Sequence, residues 1–198
     1  MMKLDVLMTG VGGQGIILSS DVMGEAAMAA GYDVKKTDVH GMAQRGGSVT
    51  SHVRIAERVA SPLIGEGDAD LLLGFEKLEG VRYVGHLKPG GIAIINNHAL
   101  PPLSVSLGFE RYPSDEEIGR VVRQRTERFY YVPATRLAGE LGDARALNML
   151  LIGCASVFTP FDASVWKDTV KRLVPAKVRE LNVAAFEMGR KEIESVRL

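Results

Sequence analysis

Residues 6–31, VLMTGVGGQGIILSSDVMGEAAMAAG, read as an apolar strand, a glycine-rich turn and a helix, and this unit constrains the fold more than any other stretch. Gly10, Gly12, Gly13, Gln14 and Gly15 fit G-x-G-x-x-G in the context where that spacing has physical meaning, after an apolar run and before a helical one. Gly10 is expected to permit a tight turn, Gly12 a close approach of backbone to a bound group, and Gly15 close packing of the helix on the sheet. Amides at the helix start would then face a crevice that favours an anion. Small residues at Gly24, Ala26, Ala27, Ala29 and Ala30 suit close packing on a sheet, and Gly31 is placed to end the helix. The same turn also serves a chain that binds nothing there and only joins strand to helix. Dinucleotide binding of the dehydrogenase kind asks in addition for an acid near the end of the second strand, about 20 residues on. Asp33 opens that expected strand and Asp38 closes it.

Further along, YDVKKTD reads as a second strand and VTSHVRIA as a third, joined by the polar loop VHGMAQRGGS. This loop sets His40, Gln44, Arg45 and the pair Gly46-Gly47 beyond a strand's carboxyl end, the edge where open α/β sheets hold ligands. Arg45 offers a planar fork for a carboxylate or phosphate, and paired glycines let amides turn toward the same anion; a surface loop with one solvated arginine fits the same residues. His40, with no second histidine or carboxylate at ligand spacing, reads as a hydrogen-bonded side chain.

Residues 71–75 and the run IAIIN read as buried parallel strands, separated by a helix over residues 76–87 that the turn KPGG stops. Glu76 could reach the crevice, although a carboxylate at a helix start is the plainer reading. Residues 97–113 read as an irregular excursion with a short edge strand at 103–107. Ser114 and Glu117 match a capping box that opens a helix to about Arg128, and FYYV is a further strand. Beyond Pro133 the pattern turns helical, with a strongly apolar helix after Asp143, another from Asp162 or Ala163, and a last one after Pro175. Asn148 intrudes in the most apolar of these, where satisfying a buried backbone group is its plainer role. The alternation predicts an α/β fold, a mostly parallel Rossmann-like sheet with helices on both faces and a helical C-terminal region. No repeat, low-complexity tract or linker divides residues 1–198 into more than one domain.

Composition narrows the function. Lys plus Arg and Asp plus Glu balance at 24 each, so no global charge draws the chain to nucleic acid or anionic membrane. Cys154, the one cysteine, rules out an internal disulfide and any iron–sulfur cluster held by this chain's thiolates alone. The start MMK leads straight into a strand without a secretory signal, and no apolar run spans a membrane, so a cytoplasmic location is expected. No nucleophilic triad, metal-ligand spacing, Walker loop or paired carboxylates stands out. An anion-binding crevice without its own catalytic apparatus suggests a binding subunit, or part of a site completed elsewhere.

GVGGQG, HGMAQRGG, SHVRI, DADLLLGFE, the KPGG turn before IAIIN, and Asn148 together resemble the gamma-type subunit or domain of 2-oxoacid:ferredoxin oxidoreductases. The form with AQRGG is most similar to the beta subunit of the indolepyruvate type. The resemblance implies a multi-subunit enzyme that decarboxylates a 2-oxoacid on thiamine diphosphate with magnesium, passes the acyl group to coenzyme A, and sends electrons through 4Fe–4S clusters to ferredoxin. It further implies that a larger alpha subunit carries the thiamine and the clusters, and that this chain binds no cofactor alone. Carried over by position, Gly10, Gly12, Gly13, Gln14, Gly15, Gln44, Arg45 and Gly46 are the expected ligand or subunit contacts, with no catalytic residue among them. The isolated chain is expected to be inactive and able to self-associate through a surface meant for its partner.

Overall fold

The computed structural model describes residues 2–41 and 46–196. A six-stranded sheet has the order β2-β3-β1-β4-β5-β6, built from β1 (Lys3–Val11), β2 (Asp33–His40), β3 (Ser48–Ala56), β4 (Ala69–Gly74), β5 (Leu87–Asn96) and β6 (Phe129–Val132). β1, β4, β5 and β6 pair in parallel, whereas β3 runs antiparallel to both β1 and β2. The mostly parallel sheet expected from the alternation is therefore present, with one reversed strand inserted beside β1. At the amino edge Asp5 and Arg54, opposite each other in the register, form a bidentate pair at 3.0 and 3.1 Å that fixes this antiparallel pairing.

Both faces are covered, which is why the central strands read as unbroken apolar runs. Leu71 and Leu73 of β4 and Ile92 and Ile94 of β5 enter one core, while Leu72, Ala93 and Ile95 enter the other. The larger core lies under α1 (Ile16–Ala29) and holds Ala134 and Ala138 of α5 (Ala134–Glu140). It also takes in the C-terminal helices α6 (Leu147–Ser156), α7 (Ala163–Leu173) and α8 (Arg179–Val196). The smaller core lies under α2 (Lys77–Arg82) and α4 (Asp115–Arg123). All residues of α6 are buried, so its apolar character all round reflects a helix enclosed between α1, the sheet and α8.

Several local expectations hold. Ser114 and Glu117 form the capping box of α4, and Gly31, at φ +89°, closes α1 with its N–H donating to Met28 O. Three need correction, the first being α4 itself, which ends at Arg123 and not at about Arg128. Residues 103–107 do not form an edge strand; Leu103–Ser106 is a single helical turn, α3, started by Pro102 and stopped at Gly108, whose φ is +77°. The helix expected over residues 76–87 ends at Arg82, followed by a 3-10 turn at Val84–His86, and KPGG lies within β5, where the β4–β5 register shifts.

Gly153 on α6 and Gly189 on α8 let these helices touch backbone to backbone, because a Cβ at either would strike the carbonyl oxygen of Phe186 or Leu150. Gly153→Ala is expected to destabilise the protein by about 2 kcal/mol in urea unfolding, overpacking outweighing the roughly 1 kcal/mol that alanine gains in helix propensity. A variant as stable as the parent would show that the helices separate freely.

His52, buried on β3, accepts the Ile64 N–H at its Nδ1, 3.2 Å away. Burial first, and then the neighbouring His86, hold its imidazole below the ordinary histidine range, with Asp38 opposing. The unfolded chain therefore takes up this proton first, so the His52 contribution is complete above about pH 6.5 and declines as pH falls below it. Unfolding titrations of the parent and His52→Gln between pH 8 and 5 should differ in slope below about pH 6.5; parallel curves would remove the effect.

Candidate functional site

The carboxyl ends of β1, β4 and β5 are tied together at one backbone oxygen. Phe75 O, just past β4, accepts Gln14 Nε2 at 2.9 Å and Asn96 Nδ2 at 2.9 Å, while Phe75 N–H donates to Thr9 O at 2.7 Å. Asn96 also donates to Thr135 Oγ1 at 2.8 Å, which ties in the segment after β6. Gln14 Oε1 accepts the Val11 N–H at 2.8 Å, so the side-chain amide closes the glycine turn on itself. Gln14, expected as a ligand contact, is buried and holds the turn against the sheet.

The glycines divide their work differently from the expectation. Gly10 makes no turn; it is a paired residue of β1, and a Cβ there would lie 2.7 Å from both Gln14 Oε1 and Phe75 Cβ. Its missing side chain is the space that Gln14 occupies. Gly12 donates its N–H to Gly47 O at 2.9 Å, which straps the far end of the 41–47 loop to the turn. Gly13, at φ +106°, is exposed at the tip. Gly15, at φ +78°, precedes α1 and is pressed against Asn148 of α6 rather than the sheet. Asn148 Oδ1 accepts the buried Met149 N–H at 2.8 Å, the backbone-satisfying role expected of it.

Two openings flank the turn. One, of about 500 Å³, is lined by Gly12, Gly13, Gly15, Ile16, Ile17 and His40, with Val49 behind. α1 enters it with no side-chain cap and no acidic residue in its first turn. His40 is exposed, its Nδ1 3.3 Å from Gly41 O. The second, of about 510 Å³, lies between Gly12 and Gly46 on one side and Leu100, Pro102 and Leu103 on the other. Its floor holds Glu79, buried, which accepts from Ser48 Oγ at 2.6 Å and pairs with Arg82 at 3.0 Å. Gly46, at φ +80°, thus borders the same opening as Gly12. Gln44 and Arg45 lie outside the described residues.

Glu76 is the N-cap of α2, its Oε2 accepting the Glu79 N–H at 2.9 Å. Its other oxygen accepts the Leu100 N–H at 2.9 Å and the Tyr112 hydroxyl, so one buried carboxylate clasps both ends of the excursion. Burial first, and then this carboxylate, push the Tyr112 phenol up. Asn96, Ser48 and Glu79 were not singled out from the sequence, although Asn96 is legible as a polar residue closing an apolar strand.

Asp38 does not complete a dinucleotide site. β3 separates its strand from the glycine turn, and its carboxylate is engaged by Ser51 Oγ at 2.6 Å, Ser20 Oγ at 3.3 Å and Lys36 Nζ at 3.1 Å. Among the described residues no group of three His, Cys, Asp or Glu could hold a metal ion. Cys154 is fully buried, donates to Gly189 O at 3.2 Å, and has its thiol pushed up by burial. These residues do not fit an iron–sulfur cluster.

Residues 5–192 match the pyruvate ferredoxin/flavodoxin oxidoreductase family, and the chain belongs to it. It is a subunit of a 2-oxoacid:ferredoxin oxidoreductase. It is 40% identical to the indolepyruvate oxidoreductase subunit IorB of Pyrococcus horikoshii, covering 96% of this chain and 95% of that one. The same subunit of Thermococcus kodakarensis is 39% identical over 96% and 95% of the two chains. The fold is similar to the solved gamma subunit of a keto/oxoacid ferredoxin oxidoreductase from Geobacter sulfurreducens, with TM-score 0.72, 23% identity, and coverage of 97% and 99%.

Because Gln14 and Asn96 share one acceptor, their contributions should not add. Gln14→Ala and Asn96→Ala are each expected to cost about 1–3 kcal/mol in denaturant unfolding, with the double variant departing from their sum by at least about 0.5 kcal/mol. Strict additivity would show that the two bonds to Phe75 O act independently.

Proposed function

We propose that the chain, as one gamma-type unit spanning residues 1–198, is the small, non-autonomous subunit of an indolepyruvate-type 2-oxoacid:ferredoxin oxidoreductase. The complex would convert aryl pyruvates such as indolepyruvate, with coenzyme A, to arylacetyl-CoA, CO2 and reduced ferredoxin. What carries this reading is the near end-to-end 40% identity with an indolepyruvate oxidoreductase subunit. The geometry supports it: the Gln14 side chain of the glycine turn is engaged inward, and the described residues around the crevice form no self-contained reaction centre. Thiamine diphosphate, magnesium and the 4Fe–4S clusters are assigned to a larger partner subunit, through which ferredoxin is reached. No described helix is long and apolar enough to cross a membrane, and we place the complex in the cytoplasm.

In this reading Gly12, Gly13, Gly15 and Gly46 border the surface that meets a ligand or the partner, while Gly10 and Gln14 shape it from behind. Gln44 and Arg45 join the set on the sequence alone.

The test is co-expression with the large thiamine-binding subunit of an indolepyruvate-type oxidoreductase, followed by an assay with indolepyruvate, coenzyme A and an electron acceptor. Activity is expected from the pair and not from this chain alone, and titration of the isolated chain with NAD or NADP should give no saturable binding. A pair inactive on every 2-oxoacid, or a chain that binds a dinucleotide tightly, would overturn the reading.

A further inference from the structure

The described residues carry few large apolar side chains in the open, yet four of them fall within residues 100–109: Leu100 is 39% exposed, Leu103 72%, Leu107 58% and Phe109 80%. This stretch, LPPLSVSLGF, contains no charged residue in a chain that is 24% charged. Charge depletion with exposed aliphatic and aromatic side chains is the composition of an interface core rather than of a solvated loop. The stretch is also preformed. Pro101 and Pro102 stiffen its start, α3 folds its middle, and the Glu76 carboxylate clasps it from Leu100 at one end and Tyr112 at the other. A partner therefore meets an ordered knob and loses little entropy in fixing it.

We infer that this knob, together with the groove that Leu100 and Leu103 share with Gly12 and Gly46, is the docking surface for the large thiamine- and cluster-bearing subunit. The inference rests on the function proposed above. Its choice of occupant follows from area and from continuity. The exposed parts of the four side chains amount to on the order of 400 Å², about half of the roughly 800 Å² per partner that a stable interface buries. A second copy meeting knob to knob would bury only that patch. A larger partner, reaching past the knob into the adjoining groove of about 510 Å³, covers the remainder. The buried Glu79, engaged by Ser48 and Arg82, holds the groove floor in place beneath the apolar rim that meets such a partner.

The test measures association of the full-length chain with the purified large subunit, by titration, for the parent, Leu103→Asp, Phe109→Asp and Met28→Asp. Met28 is 49% exposed near the other end of α1 and serves as the control. Because the knob side chains stand in solvent, all variants should keep the parent's thermal midpoint. Leu103→Asp and Phe109→Asp should each weaken binding by at least about 30-fold, and Met28→Asp by no more than about threefold. If the parent does not bind the large subunit at all, the proposed function fails and this inference with it. If the parent binds and the knob variants bind equally well, the inference alone is overturned. It is likewise overturned if the knob substitutions abolish only self-association in sedimentation, or only binding to phosphatidylcholine vesicles, while leaving the large subunit bound.

Discussion

The two side-chain bonds to Phe75 O hold the carboxyl edge of the sheet in one piece. A strand's last carbonyl normally looks to solvent or to a following turn. Here it lies in a crowded interior where an unsatisfied oxygen costs about 1–3 kcal/mol. Gln14 reaches it from the turn after β1 and Asn96 from the end of β5, so the positions of three strand ends become mutually dependent. The geometry of the crevice then follows from packing rather than from loop flexibility. Gly10 must lack a Cβ for Gln14 to lie across it, and Gly15 must lack one for α1 to enter beside Asn148. The glycine motif is in this sense a packing device whose by-product is an open turn at Gly12 and Gly13.

That distinction explains which parts of the chain were legible in the sequence. The strand, turn and helix of residues 6–31 were readable because their signals are local, consisting of an apolar run, glycines at fixed offsets and a helix stop at Gly31. The buried strands, the α4 capping box and the apolar character of α6 were readable for the same reason. The partners of the glycines were not, since Phe75 and Asn148 lie 65 and 133 positions away from Gly10 and Gly15 and nothing in the motif points to them. The reversal of β3 was equally hidden. A half-buried antiparallel strand and a parallel one can share the pattern of VTSHVRIA, and only the pairing with β1 and β2 decides. Residues 103–107 misled because alternating Leu, Val and Leu suit a strand, while Pro102 and Gly108 favour one helical turn between them.

The inserted β3 also has a functional consequence. In a dinucleotide-binding fold the strand beside the glycine turn runs parallel to it and ends in an acid near the ribose. In this chain the neighbour runs the other way, so its start, Ser48, and not its end, stands next to Val11. The turn is thereby faced by Gly47, whose carbonyl accepts the Gly12 N–H, and among the described residues no strand-end carboxylate takes that place. The spacing of glycines that would mark a cofactor site in one topology marks a protein-built recess in another.

The two faces of the sheet show the same division between self-contained and incomplete surface. Under α1 and α6 the core closes fully, with α7 and α8 laid over it and the helix pair drawn to backbone contact at Gly153 and Gly189. Under α2 and α4 the core is small, and the chain from β5 to α4 leaves it as the excursion pinned by Glu76. Among the described residues no cation pairs with Glu76, and a buried carboxylate held by hydrogen bonds alone is costly and is retained only where those bonds fix something. Its three donors come from Glu79, Leu100 and Tyr112, so what it fixes is the attachment of a charge-free apolar projection to the edge of the sheet. A monomer gains nothing from holding such a projection in water, whereas one subunit of an oxidoreductase gains a rigid, apolar contact already in place before its partner arrives.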